Sequence, residues 1–126
     1  MSGFAFDANI VIDALSGFLP ARAEIQRAVS GGGRAWISRM AWLEVLSKGD
    51  AVIVKGALAF MSHFGIDEMD EEIALRAAAL RRERPRLKSP DAVILASAQT
   101  RGRVLVTRNT KDFPAEMPGV RVPYIL

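Results

Sequence analysis

The sequence predicts a three-layer α/β/α sandwich around a mostly parallel sheet, on the strength of two patterns and a size. Short apolar runs that read as buried strands recur at 3–6, 35–37 and 103–107. Between them lie longer segments with apolar residues at helical spacing, and this alternation argues for parallel strands joined by helical crossovers. A chain of 126 residues, 50% of them hydrophobic, suits one compact domain over 1–126 with a substantial core.

Each element follows from local signals. The first strand stops at Asp7, and 9–15 reads as a short helix. Pro20 opens a second helix, with Ile25, Ala28 and Val29 apolar and Arg22, Glu24 and Arg27 polar. Gly31, Gly32 and Gly33 make a turn before the strand at 35–37. Ser38 can cap a helix that runs to about Lys48 and stops at Gly49. Asp50 caps a further helix through 64, and 64–68 reads as a strand. A strongly patterned helix spans 70–82, with Ile73, Ala77 and Leu80 at helical spacing, and Pro85 ends it. Ser89 caps the next helix and Pro90 takes its first turn; Val93, Ile94, Leu95 and Ala98 follow, and Gly102 closes it. Val104, Leu105 and Val106 form a good strand, and 120–122 is the last one, limited by Pro123.

Composition excludes several classes. With no Cys there are neither disulfides nor thiolate metal sites. The start of the chain lacks the features of a secretion signal, and no apolar run approaches the roughly 20 residues that span a bilayer. The expectation is a cytoplasmic protein with no membrane contact. No Walker-type loop points to nucleotide hydrolysis. Net charge is only +3, but its distribution is uneven. Arg76, Arg81, Arg82, Arg84 and Arg86 lie close together with Glu83 alone opposing them, and Lys88, Arg101, Arg103, Arg108 and Lys111 follow. The acids cluster between Asp67 and Glu72 or stand singly in apolar surroundings. Basic residues with isolated acids suit a polyanion held through a metal; a solvated helix face is the plainer reading of the Arg run.

The isolated acids carry the chemistry. In a parallel sheet, ligands bind beyond the carboxyl ends of the strands, and Asp7, Asp91 and Asp112 fall there. Glu44 interrupts an otherwise apolar stretch, 40–46, which reads as a helix buried on most sides. A buried carboxylate needs a partner, and a metal or an Arg would serve; otherwise Glu44 shares an exposed stripe with Lys48. Asp7 can equally be a helix N-cap, Asp91 a first-turn acid facing the helix dipole, and Asp112 a turn residue. Asn109 can add a carbonyl oxygen. Asp13 is read as a helix residue that faces solvent or else lies near the site, and the single His, His63, as a helix-surface residue. Together the acids make an oxygen-only set, suited to Mg²⁺ or Mn²⁺ and unsuited to zinc. Such a site can activate water against a phosphodiester.

In this order and spacing the segments 6–13, 38–46, 90–96 and 106–113 resemble the PIN-domain ribonucleases, specifically the VapC-type toxins of type II toxin–antitoxin pairs. The likeness spans almost the whole chain. It implies Mg²⁺- or Mn²⁺-dependent cleavage of RNA, often a tRNA or an rRNA loop, a homodimer, and a VapB-like antitoxin. It implies Asp7, Glu44 and Asp91 as metal ligands, with Asn9 and Ser38 in support. Ala8 stands where a hydroxyl residue is common. Many relatives carry Asp at the position of Asn109, while Asp112 matches the Asp before Phe; the fourth ligand is expected to be Asp112 with Asn109 as accessory. Arg81, Arg82, Arg84 and Arg86 are expected to draw in the RNA backbone. Two rivals stand beside this endoribonuclease. One is a non-catalytic RNA- or protein-binding module of the same fold. The other is an acid-pocket phosphatase or receiver-like domain, which the helical reading at Asp50 and the Asn at position 9 disfavour.

Overall fold

The computed structural model describes residues 3–126. Five strands form one sheet: β1 (Phe4–Phe6), β2 (Ala35–Ser38), β3 (Gly65–Asp67), β4 (Val104–Val106) and β5 (Val120–Arg121). Their order is β3-β2-β1-β4-β5, and every neighbouring pair is parallel. Among the described residues six α-helices accompany them: α1 (Ala8–Leu15), α2 (Leu19–Val29), α3 (Arg39–Leu46), α4 (Ala51–Met61), α5 (Glu71–Glu83) and α6 (Ser89–Arg101). The expected α/β/α sandwich is the observed fold.

The topology fixes where a ligand binds. The chain first moves outward from β1 to β2 to β3, then returns through α5 and α6 to β4 on the other side of β1. Right-handed crossovers therefore place the helices of the outward and return paths on opposite faces. The direction reverses between β1 and β4, and a crevice opens there beyond the strand ends. Phe6 pairs with Val106 in register, so Asp7 and Thr107, the next residues of each strand, meet at that reversal.

The core is made of Phe6, Ile10, Ile37, Met61, Ile73, Leu87, Leu105 and Phe113, all essentially inaccessible. α6 runs through the middle, with Ala92 to Ala98 buried without interruption. Its small residues let α5 approach closely, and this is the densest helix–helix contact in the molecule. Gly65 is required for a different reason. A Cβ there would stand 2.5 Å from the Trp36 ring, its register partner on β2. Glu24 and Arg121, bonded at 2.8 and 3.0 Å, tie α2 to the last strand.

Several boundaries differ from expectation for local reasons. Ser89 does not cap α6; Lys88 takes the cap position without a side-chain bond, and Ser89 and Pro90 are the first two helical residues. α3 ends at Leu46 because Ser47 turns its hydroxyl back to Leu43 O at 2.7 Å, leaving the chain free to reach Asp50. Asp50 does cap α4, accepting from Ile53 N at 3.0 Å, but the helix closes at Met61. α3 is not buried on most sides: Ala41 and Val45 are its buried residues, and Leu43 is 52% exposed. No helix among the described residues is long and apolar enough to cross a membrane.

Candidate active site

Asp7 is the best-fixed acid. It is 4% exposed, and its Oδ1 accepts from Ala8 N at 2.7 Å, so it is the N-cap of α1 as well as a candidate ligand. Its Oδ2 accepts from the Thr107 hydroxyl at 2.8 Å and from Asn9 Nδ2 at 3.4 Å. Burial raises the Asp7 pKa, opposed by the bonds from Thr107 and Ala8 and by the charge of Arg108.

Around Asp7 a pocket of about 580 Å³ is lined by Asn9, Glu44, Lys48, Asp91, Arg108 and Asn109 among others. Glu44 arrives from α3 and is half-buried; burial and the Asp7 charge raise its pKa, and Lys48, one turn on, offsets part of this. Asp91 is the third residue of α6, at the point where that helix leaves the core. Burial, then the charges of Asp112 and Asp7, push its pKa up to about 6. Asp112 does not line the pocket; it stands beside Asp91 and forms part of the wall of a neighbouring cleft. Asn109 holds it there, donating to Asp112 Oδ2 at 2.9 Å, with Phe113 anchoring the turn in the core.

No ion pair among the described residues includes the side chain of Asp7, Glu44, Asp91 or Asp112. The acids thus lie together without a direct ion pair, and Lys48 and Arg108 at the pocket wall offset their charge only in part. Among the described residues no three acids stand ready as a closed metal cage. The donor set is nonetheless oxygen-only and mutually repelling, a chemistry that fits a hard divalent cation and not zinc.

Other predicted residues fall elsewhere. Ser38 is buried outside the pocket, and its hydroxyl accepts from Ala41 N at 3.1 Å, setting the start of the helix that carries Glu44. Asn9 and Asn109 both line the pocket. The Arg run separates. Arg82 and Arg86 are exposed, Arg81 donates to Leu87 O at 3.0 Å, and Arg84 donates to the Asp112 carbonyl.

Three residues escaped the sequence reading. Asp13 does not face solvent; it is 8% exposed and binds Arg108 at 2.7 and 3.1 Å, with the Tyr124 hydroxyl at 2.7 Å. Burial raises its pKa, but the bonds from Arg108 and Tyr124 outweigh that and leave it lowered. Arg108, held in this way, borders the acid pocket. Thr107 is fully buried beside Asp7, and its position directly after a strand was the signal available for it.

A parallel sheet whose reversal point holds a buried Asp outside any ion pair, at a pocket that two further chain segments line with Glu44 and Asp91, defines an α/β domain with a carboxylate-bearing crevice. A PIN-domain model matches residues 4–115, and the chain belongs to that family. It is similar to a chain in a solved toxin–antitoxin complex from Klebsiella pneumoniae, with 39% identity, 97% of this chain and 98% of that one covered, and a TM-score of 0.86. It is also similar to a chain in DNA-bound VapBC from Salmonella typhimurium, at 25% identity, with 96% of each chain covered and a TM-score of 0.76. VapBC2 from Rickettsia felis, bound to a promoter DNA fragment, shares the fold at 20% identity, with 94% of this chain and 95% of that one covered and a TM-score of 0.76. No curated protein sequence matches.

Proposed function

We propose that this PIN-domain protein is the nuclease toxin of a toxin–antitoxin pair, an Mg²⁺- or Mn²⁺-dependent endoribonuclease acting on tRNA or rRNA. The observation that carries this reading is the set of acids at the sheet reversal, buried or half-buried and, among the described residues, in no ion pair. Asp7, Glu44 and Asp91 would hold the metal, and Asp112, through Asp91, would complete the centre. The bound ion would supply positive charge against the phosphodiester and lower the pKa of an attacking water.

The chain's own residues do the rest. Thr107 and the Ala8 amide keep both Asp7 oxygens oriented. Burial and the charges of Asp112 and Asp7 hold the Asp91 pKa up at about 6, and a bound cation would relieve that repulsion. Arg108, fixed by Asp13, and Lys48 offer the cations that a substrate phosphate needs at the pocket rim. A loop or single-stranded segment of RNA suits so open a pocket.

The partner reading has its own support. Leu43 on α3 and Val52, Ile53 and Leu58 on α4 are exposed, Val52 by 80%. Large apolar side chains grouped on adjacent helices are expected where a protein partner docks. An antitoxin of VapB type is the partner proposed, together with a second copy of the chain as a homodimer.

The test is cleavage of total cellular RNA by the purified, antitoxin-free protein. Discrete fragments are expected with Mg²⁺ or Mn²⁺ and none with EDTA. A folded protein that leaves RNA intact with either ion contradicts the reading and favours the non-catalytic module.

A further inference from the structure

A second cleft adjoins the acid pocket, on the far side of Asp112. It has a volume of about 610 Å³ and is lined by Arg84, Pro85, Arg86, Leu87, Lys88, Lys111 and Asp112. Four cations thus face one carboxylate, which is itself engaged by Asn109 and stands beside Asp91. The walls are fixed. Leu87 is buried, its N–H bonds Arg84 O at 2.9 Å, and Arg81 holds its carbonyl. Across the cleft, Phe113 anchors the turn that carries Lys111.

Arg84 joins the two walls. One guanidinium nitrogen, Nη2, donates to the Asp112 carbonyl. The other, Nη1, is buried with no hydrogen-bond partner among the described residues. A buried charged donor without an acceptor is costly and rare. A guanidinium held by one nitrogen is preorganised to receive an anionic oxygen on the other, after a small movement of the side chain.

We propose that this cleft is a phosphate subsite for the nucleic-acid backbone, holding a phosphate that neighbours the one at the acid pocket. Arg84 and Lys111 grip that phosphate, and Lys88 and Arg86 add charge at the mouth. Asp112 is then the divider between a pocket that needs a cation and a cleft that supplies four. The backbone crosses from one to the other, which sets its path over the site. Arg81 and Arg82, expected from the sequence to share this task, take no part: Arg81 braces the loop and Arg82 lies outside the cleft. The assignment rests on the nuclease reading for its substrate, but its test is separable.

The probe is fluorescein-labelled single-stranded RNA, bound to the uncleaving Asp91→Asn protein and followed by anisotropy over a range of salt. The Lys88→Gln/Lys111→Gln pair removes two exposed charges and leaves packing alone. It is expected to weaken binding about tenfold and to reduce the slope of log affinity against log salt by one to two. Arg82→Gln is expected to change neither. Arg84→Lys is expected to keep the slope but lose affinity, because the charge stays and the fork goes. Equal losses in Arg82→Gln and the Lys pair, no loss in the pair, or no RNA binding by the parent would each overturn the proposal. Displacement of the RNA by millimolar inorganic phosphate alone would make the cleft a free-phosphate site and overturn the backbone assignment. In the cleaving protein the Lys pair is expected to raise KM with kcat held. Cleavage with an unchanged KM sinks the cleft and spares the nuclease, whereas RNA bound through Lys88 and Lys111 but never cut sinks the nuclease and spares the cleft.

Discussion

Asp7 and Asp67 are near twins in position. Each stands at the carboxyl end of a strand of the parallel sheet, and each is 4% exposed. Their surroundings differ. Asp67 receives two bonds of 2.8 Å from Arg103, whose guanidinium lies 3.6 Å from the Trp36 ring. Asp7 receives a hydroxyl, an amide N–H and a long bond from Asn9, and no cation. The same division runs through the other acids. Asp13 and Glu24 are matched by Arg108 and Arg121 and have lowered pKa values, while Glu44 and Asp91 are unmatched and have raised ones. Burial alone therefore does not mark a functional carboxylate in this fold. Burial without a paired cation is the better pointer to one, since that arrangement costs stability unless something else binds there.

The sharpest way to break the comparison is to neutralise one acid of each kind. Asp7→Asn is expected to lower cleavage by at least about a hundredfold, as loss of a metal ligand should, with a metal-free melting temperature no lower than the parent's. Asp67→Asn is expected to do the reverse. It leaves Arg103 without its carboxylate and costs about 3 kcal/mol of stability by denaturant titration, with cleavage per folded molecule unchanged. A destabilised Asp7→Asn or an inactive, stable Asp67→Asn would void the distinction.

A smaller effect tests the support of Asp7. Thr107→Val keeps the shape but removes the hydroxyl that orients Oδ2. Cleavage is expected to fall about tenfold, as for other groups that orient a ligand, and measured kcat should carry the loss more than KM.

The smallest effect concerns pH. Asp91 has a folded pKa of about 6 against an unfolded 3.8. For an acid raised in this way the penalty on folding is absent below the unfolded value and complete above the folded one. That rise would be worth about 3 kcal/mol in a dry site, and the half-exposed position of Asp91 reduces it to about 1 kcal/mol. Metal-free Asp91→Asn should therefore exceed the parent in stability by about 1 kcal/mol at neutral pH. The advantage should fade as pH drops from 6 to below 4, and a constant difference across that window would contradict the assigned electrostatics.

Much of this was legible in the sequence. Strand identity showed in the short apolar runs, even though β1, β3 and β4 span three residues each and β5 two. Asp7, Glu44 and Asp91 stood out as acids beside apolar runs, whereas Asp112, in a polar loop, was singled out by its place before Phe113. For Glu44 the reasoning was partly wrong: α3 buries one side only, and what raises the pKa of its acid is partial burial beside Asp7. What stayed hidden were pairings across the chain. Asp13 and Arg108 are 95 residues apart, and Asp67 and Arg103 are 36 apart. No local pattern announces such a bond, so the sequence left Asp13 between a solvent-facing position and one near the site, with solvent favoured. The Arg run was likewise seen as one basic strip, whereas the turn after α5 sends Arg81 and Arg84 to backbone carbonyls and points to a different set of cations, with Lys88 and Lys111 in it.

On the proposed function, Asp7, Glu44 and Asp91 would bind a divalent ion, whereas Asp67, paired with Arg103, would not. Calorimetric titration of the metal-free protein with Mn²⁺, beside Asp7→Asn and Asp67→Asn, tests it most directly. Binding is expected in the parent and in Asp67→Asn and absent in Asp7→Asn. No binding in the folded parent, or binding that survives Asp7→Asn, would contradict the account.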